Sequence, residues 1–187
     1  MSATVKVAAA ELIIAGFGGQ GVLLIGQLLA YAGMIEGKQV SWLPSYGPEM
    51  RGGTANCTVV ISAEPVASPV VSRPTAVLAL NQPSMDKFEP NLQPGGLLIN
   101  NSSLVDRESE RTDIRVLAVP ATELAHEIGD VRVANVIMLG ALLGSTGIVE
   151  EGSILKALRK VLPERRHNLI PLNEQALRRG MELGSGS

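Results

Sequence analysis

Leu12-Ile13-Ile14-Ala15-Gly16-Phe17-Gly18-Gly19-Gln20-Gly21-Val22 is the stretch that decides how this chain folds. Four consecutive apolar residues, Leu12 to Ala15, read as a strand, and they run directly into a turn made mostly of glycine. From Val22 to about Ile35 apolar residues recur at helical spacing, and Gly37 stops that helix. Gln39 to Leu43 resumes as a short buried strand. Strand, glycine turn, helix and strand in this order predict a βαβ unit with the usual right-handed crossover. The opening is Rossmann-like.

Beyond that unit comes Pro44-Ser45-Tyr46-Gly47-Pro48-Glu49-Met50-Arg51-Gly52-Gly53, whose prolines and glycines predict a shaped loop. Because it follows a strand, it is expected at the carboxyl edge of the sheet, beside the glycine turn of the neighbouring strand. Strands are expected over Thr54 to Ile61, Ala76 to Leu80, Leu97 to Asn100 and Ile114 to Val119, with a helical turn at Ser84 to Phe88 and a helix over Thr122 to Ile128. Helical periods then cover Val136 to Leu143, Ile154 to Val161 and Leu172 to Leu183. The expected fold class is α/β: a Rossmann-like mixed sheet flanked by helices, with a helical C-terminus. No linker or repeat divides the chain, so residues 1–183 are expected to form a single domain, with 184–187, Gly-Ser-Gly-Ser, a flexible tail.

Composition narrows the partners. A formal charge of −2 with both signs interspersed offers no basic field for nucleic acid. Apolar runs such as Val136 to Leu143, broken by Gly140, fall short of the roughly 20 residues that span a bilayer. The N-terminus lacks the pattern of a signal peptide, which makes the cytoplasm the expected location. One cysteine, Cys57, excludes an internal disulfide and an iron-sulfur cluster ligated by this chain alone.

The glycine turn has the spacing GxGxxG through Gly16, Gly18 and Gly21, a pattern shared with dinucleotide enzymes. Those enzymes hold the ribose with an acidic residue at the end of the second strand, where this chain reads Leu43-Pro44-Ser45. The missing carboxylate argues against NAD, and the absence of a nearby basic residue argues against NADP. What remains is a helix N-terminus with free N–H groups near Gly19, Gln20 and Gly21, able to receive a phosphate or carboxylate. The plain alternative is that the glycines only let the helix start close under the sheet. In the second loop Arg51 could clamp a phosphate or a partner carboxylate, or could pair with Glu49 to fix the loop, and Tyr46 fits either contact or packing.

Taken together, Gly-Phe-Gly-Gly-Gln-Gly-Val, a helix, and then Pro-Ser-Tyr-Gly-Pro-Glu-Met-Arg-Gly-Gly-Thr resemble the gamma subunit of 2-oxoacid:ferredoxin oxidoreductases. The likeness continues through Ile61-Ser62, Ser68-Pro69, Asn81 and Ala134 to Gly140. The resemblance implies a complex that oxidatively decarboxylates a 2-oxoacid and passes the acyl group to coenzyme A and electrons to ferredoxin. It also implies alpha and beta partner subunits, with a possible ferredoxin-like delta subunit. Thiamine diphosphate, magnesium and iron-sulfur clusters would sit on those partners, and neither catalytic residues nor a metal site on this chain. The isolated chain is expected to be inactive and could form a homodimer. The candidate cofactor-binding residues are Gly16, Gly18, Gly19, Gln20 and Gly21 of the turn with Ser45, Tyr46, Glu49, Arg51 and Gly52 of the loop. Gly18, Gly19, Gln20 and Arg51 stand foremost for coenzyme A. The 2-oxoacid stays open among pyruvate, 2-oxoglutarate, branched-chain and arylpyruvate types, with a lean to 2-oxoglutarate from the short separate chain. Two other readings remain: a scaffold whose loops only dock subunits, and an independent NAD(P) enzyme.

The other chemistry-bearing residues have plainer explanations. His126 lies among apolar helix residues and His167 follows two arginines, without a metal-ligand spacing. Cys57 in its strand reads as a buried, inert thiol. Lys156, Arg159, Lys160, Arg165 and Arg166 make a basic cluster that is either a solvated face or a contact for an acidic partner. Asn135, at the start of an apolar helix, fits a cap or a buried amide as well as a ligand contact, and Asn81 ends a strand at the same sheet edge, where it could be structural or reach a ligand.

Overall fold

The computed structural model describes residues 9–45 and 54–186. Six strands form one sheet: β1 (Ala9–Phe17), β2 (Gln39–Ser45), β3 (Thr54–Ser62), β4 (Ala76–Ala79), β5 (Leu97–Asn101) and β6 (Arg115–Val119). Six helices accompany them: α1 (Val22–Ile35), α2 (Gln82–Phe88), α3 (Ala121–Ile128), α4 (Ala134–Thr146), α5 (Glu151–Val161) and α6 (Ile170–Ser185).

The sheet is mixed, as expected, but its order is β2-β3-β1-β4-β5-β6. β1, β4, β5 and β6 run parallel, while β3 is antiparallel to both β1 and β2. The expected βαβ unit is therefore split, because β3 inserts between β1 and β2. The reason lies in what each strand can bury. β3 sends Cys57, Val59 and Ile61 to one face and Val60 to the other, so it needs cover on both sides. β2 is only half-buried, continues through Pro44 to Ser45, and carries a residue without an N–H, which belongs on an edge.

Alternation along the strands feeds two cores. Leu12, Ile14, Leu78 and Ile99 face a thick layer of α1, α3, α4, α5 and α6, and Ile13, Val77, Ala79 and Leu98 face a thin one closed by Met85, Phe88 and Leu92. The polar segment after β5 straps the thin side. Arg107 pairs with Asp86 at 2.8 Å and with the buried Glu89 at 2.5 Å, and Arg111 donates to the carbonyls of Glu89 and Leu92. On the thick side α4 is buried on every face from Asn135 to Leu143, which is why its sequence shows no polar stripe.

α4 and α6 touch through glycine. A Cβ on Gly140 would lie 2.1 Å from the Leu177 carbonyl oxygen, and one on Gly180 would lie 2.0 Å from that of Ile137. Gly184 takes part as well: it is buried within α6, and a Cβ there would meet the Ala141 carbonyl at 2.2 Å. The tail expected to begin at 184 is thus corrected at its start, since the helix continues to Ser185 to complete this contact.

Candidate functional site

The glycine turn begins inside β1. Gly16 is buried, and a Cβ on it would lie 2.7 Å from Gln20 Oε1 and 2.9 Å from Val22 Cγ2. The Gln20 N–H donates to the Phe17 carbonyl at 3.2 Å, closing a tight turn whose third residue, Gly19, has φ +91°. A type II turn requires a positive φ at that place. Gly21 then precedes α1 with φ +77° and lies against Asn135, whose Nδ2 would be 2.2 Å from a Cβ. No side chain caps α1 and no acidic residue stands in its first turn, so its N–H groups point outward at the turn.

After β1 the chain leaves for the thick layer through α1, and after β4 it leaves for the thin layer through α2. Neighbouring parallel strands that part in opposite directions make a crevice at their carboxyl ends, the usual ligand position in open α/β sheets. Gln20 lies across it. Its Oε1 accepts from the Phe17 N–H at 2.6 Å and from Asn81 Nδ2 at 3.0 Å, while Nε2 donates to the Leu80 carbonyl at 3.5 Å. Asn81 is 1% exposed and caps α2 by accepting from the Ser84 N–H at 3.0 Å. Gln20 thus latches the two strand ends, and it also lines the pocket beside them. Gln20→Ala leaves the Phe17 N–H and the Asn81 amide without this acceptor and is expected to cost about 1–2 kcal/mol in a urea melt. A residue that only touched ligand would leave the melt unchanged.

Beside the latch, on the side of α3 and α4, a pocket of about 230 Å³ opens between Gly19, Leu80, Asn101, Thr122, Arg132 and Met138. Its wall is held by asparagines. Asn101 accepts from the N–H groups of Ala121 at 3.1 Å and Ser103 at 3.3 Å and donates to Thr122 Oγ1 at 3.0 Å. Asn135 donates to the Gly21 carbonyl at 3.3 Å and accepts from the Val136 N–H at 2.9 Å. Arg132 stands at the rim with its side chain 74% exposed and bonds Asp130 through Nε at 2.9 Å and Nη2 at 2.6 Å. Those bonds hold the Asp130 carboxyl down at about 2. A second, larger groove of about 690 Å³ runs between α3 and α6, but its Arg178 and Arg179 are paired with Glu151, Glu174 and Glu182. It reads as a solvated charged surface.

A family model described as pyruvate ferredoxin/flavodoxin oxidoreductase matches residues 11–183. The chain belongs to that family. Among its relatives, the ketoisovalerate oxidoreductase subunit VorA of Methanothermobacter marburgensis is 44% identical over 171 residues, covering 90% of this chain and 35% of that protein. The chain therefore spans about a third of the VorA relatives. The 2-oxoglutarate synthase subunit KorC of Methanocaldococcus jannaschii is 37% identical over 157 residues, covering 82% of this chain and 84% of that one. The solved gamma subunit of a keto/oxoacid ferredoxin oxidoreductase from Geobacter sulfurreducens is 32% identical with a TM-score of 0.82, covering 95% of this chain and 99% of that one. The 2-oxoglutarate:ferredoxin oxidoreductase of Magnetococcus marinus shares the fold alone, with a TM-score of 0.88 at 21% identity, covering 97% of this chain and 32% of that one.

The oxidoreductase motifs are brought together in part. Gly16, Gly18, Gly19, Gln20 and Gly21 form one turn. Ser45 is the exposed last residue of β2, while Tyr46, Glu49, Arg51 and Gly52 lie outside the described residues. β2 is not the neighbour of the glycine turn. Instead β3 is, and its first residue, Thr54, pairs in register with Phe17 of the turn. Asn101, Thr122 and Arg132 belong to the site and were not signalled by any motif. Among the described residues, no group of three or more His, Cys, Asp or Glu is arranged to hold a metal, and no helix is long and apolar enough to cross a membrane. Burial pushes the Cys57 thiol up to about 12, and the thiol donates to the Val22 carbonyl at 3.7 Å. His126 is exposed, and His167 Nε2 lies 2.8 Å from the Leu162 carbonyl.

Proposed function

We propose that this chain is the gamma subunit of a 2-oxoacid:ferredoxin oxidoreductase and that the carboxyl edge of its sheet forms part of the coenzyme A site. One observation carries the reading: the uncapped N-terminus of α1 opens beside a pocket with Arg132 at its rim, at the point where β1 and β4 part. Backbone N–H groups at a helix start and a guanidinium are complementary to a pyrophosphate. The pocket is smaller than the roughly 300 Å³ at which cavities begin to enclose a drug-sized ligand. It would therefore hold one portion of coenzyme A, the rest lying on alpha and beta subunits in the cytoplasmic complex. Thiamine diphosphate and iron-sulfur chemistry belong, on this reading, to those subunits. The described residues of this chain bind and orient the acyl acceptor and carry no step of the oxidation. The acid is proposed only as a 2-oxoacid, because relatives named for ketoisovalerate and for 2-oxoglutarate are 44% and 37% identical.

A second reading, a scaffold that only docks subunits, is favoured by the internal partners of Gln20, Asn81 and Asn135. Calorimetric titration of coenzyme A against the assembled complex separates the two, with NAD as control. Arg132→Ala is expected to weaken coenzyme A by about tenfold, the worth of one charge-assisted hydrogen bond. Unchanged affinity in both Arg132→Ala and Arg51→Ala, with weakened assembly, would establish the scaffold, and binding of NAD would overturn both readings.

A further inference from the structure

Outside one short stretch, most cations among the described residues have a carboxylate. Lys38 holds Glu36, Arg107 holds Asp86 and Glu89, Arg111 holds Asp113, Arg132 holds Asp130, Arg178 holds Glu151 and Glu174, and Arg179 holds Glu182. Between 156 and 166 the pattern reverses. Lys156, Arg159, Lys160, Arg165 and Arg166 are all exposed, and no ion pair joins any of them to a carboxylate of the described residues.

Three of these cations share one face of α5, and the other two follow on the turn after it. On α5 the buried Ile154, Ala157 and Leu158 face the core, which leaves Lys156, Arg159 and Lys160, at spacings of three and four, on the opposite face. Arg165 and Arg166 follow on the 3-10 turn Glu164–Leu169, and the bond from His167 to the Leu162 carbonyl ties that turn to the end of α5. Glu164 is the single acidic residue from 152 to 166. Arg159 and Lys160 also suit the negative end of the helix dipole. That accounts for two of the five and not for Lys156, Arg165 or Arg166.

None of the large exposed apolar side chains lies in this stretch. Permanent subunit interfaces are apolar at their centre, whereas a polar, charged patch without an apolar anchor suits a brief, salt-sensitive encounter. Oxidative decarboxylation of one 2-oxoacid with coenzyme A as the acyl acceptor yields acyl-coenzyme A, carbon dioxide, one proton and two electrons, so a one-electron carrier, the oxidant, must arrive and leave twice per turnover. The requirement is for rapid, reversible docking, and opposite charge supplies it.

We propose that the outer face of α5 and the turn after it steer a small acidic redox protein, of the ferredoxin or flavodoxin class in the family description, onto the assembled complex. This inference rests on the proposed function. The test is Lys156→Glu, Arg159→Glu and Lys160→Glu together, in the assembled complex, assayed in parallel with the protein carrier and with a small uncharged dye acceptor. At low salt the carrier's kcat/KM is expected to fall about tenfold, with the difference vanishing at high salt and the dye-linked rate unchanged. An unchanged kcat/KM at low salt overturns the proposal. So does a folded triple variant that no longer joins its partner subunits, because the patch would then be a subunit interface. If the triple variant does not fold, Arg165→Gln with Arg166→Gln carries the same test with an expected loss of about threefold. A wild-type complex that oxidises no 2-oxoacid even with the dye would remove the proposed function, and this inference with it.

Discussion

Gly180→Ala is expected to lower the stability of the chain by about 3 kcal/mol, or roughly 10 °C in Tm, the largest effect of any single methyl group added here. Alanine is ordinarily the better helix former by up to about 1 kcal/mol, so propensity alone predicts the opposite sign. Packing reverses it. The new Cβ would lie 2.0 Å from the Ile137 carbonyl oxygen, 2.8 Å from the Ala141 nitrogen and 2.9 Å from Gly140 Cα, all backbone atoms that no rotamer change can move aside. α4 and α6 would have to separate, and α4 is the helix on which the thick layer is assembled. Gly152→Ala supplies the matched control. It also lies in a helix, but nothing stands within 4 Å of its Cβ position, and there a gain of about 0.5 kcal/mol is expected. Thermal melts of the two variants should move in opposite directions. Equal shifts would show that the glycine contact between α4 and α6 does not carry the stability assigned to it.

Gly21→Ala should be nearly as damaging, for two separable reasons. The left-handed backbone at φ +77° costs a non-glycine residue about 1–2 kcal/mol. The added methyl also meets Asn135 Nδ2 at 2.2 Å and Cγ at 2.9 Å. Asn135 is 4% exposed, and its amide can yield only by giving up its bond to the Gly21 carbonyl. The sum is expected to reach about 3 kcal/mol and, on the proposed function, to bring a loss of coenzyme A affinity above tenfold in the complex because the turn beside the pocket shifts. Gly19→Ala isolates the first reason, since its φ of +91° is equally strained while the space around it is open. If both variants lose the same stability in urea, the Asn135 contact has no energetic weight.

Much of this molecule is legible in its sequence, and the part that is not has a physical cause. The run Leu12 to Ala15 and the glycines after it announce strand, turn and helix because each needs only local chemistry. Which strand lies beside which does not follow from alternation. Thr54 to Ser62 reads as a strand wherever it is placed, and only the need to cover both its faces puts it between β1 and β2. Gln20 can be seen as a neutral amide at a helix start, but its partner Asn81 is 61 residues away, and nothing local distinguishes an inward from an outward side chain. Arg132 and Asn101 gain meaning only when α3 and α4 fold over the ends of β4 and β5. Gly140, Gly144, Gly180 and Gly184 were open to a different reading. Their spacing of four, on the apolar α4 and on the amphipathic α6, marks a close crossing, whereas Gly140 viewed singly is only an interruption in an apolar run.

The order of the strands also governs what the sheet can do at its margins. An open strand edge invites another chain to add to it, as in amyloid growth or domain swapping. Here one margin is β2, in which Pro44 removes a donor, and the other is β6, only five residues long, with Arg115 and Val116 exposed at its start. Short edges, charge and proline all discourage templated growth. The nine-residue strand β3, whose Ala55, Cys57, Val59 and Ile61 make one apolar face, is paired with β1 from Thr54 to Ser62 and with β2 from Asn56 to Ser62. Placing it inside leaves the margins to strands poorly suited to recruit copies of themselves, so association is directed toward helix faces and loops, where partners can be told apart by shape and charge.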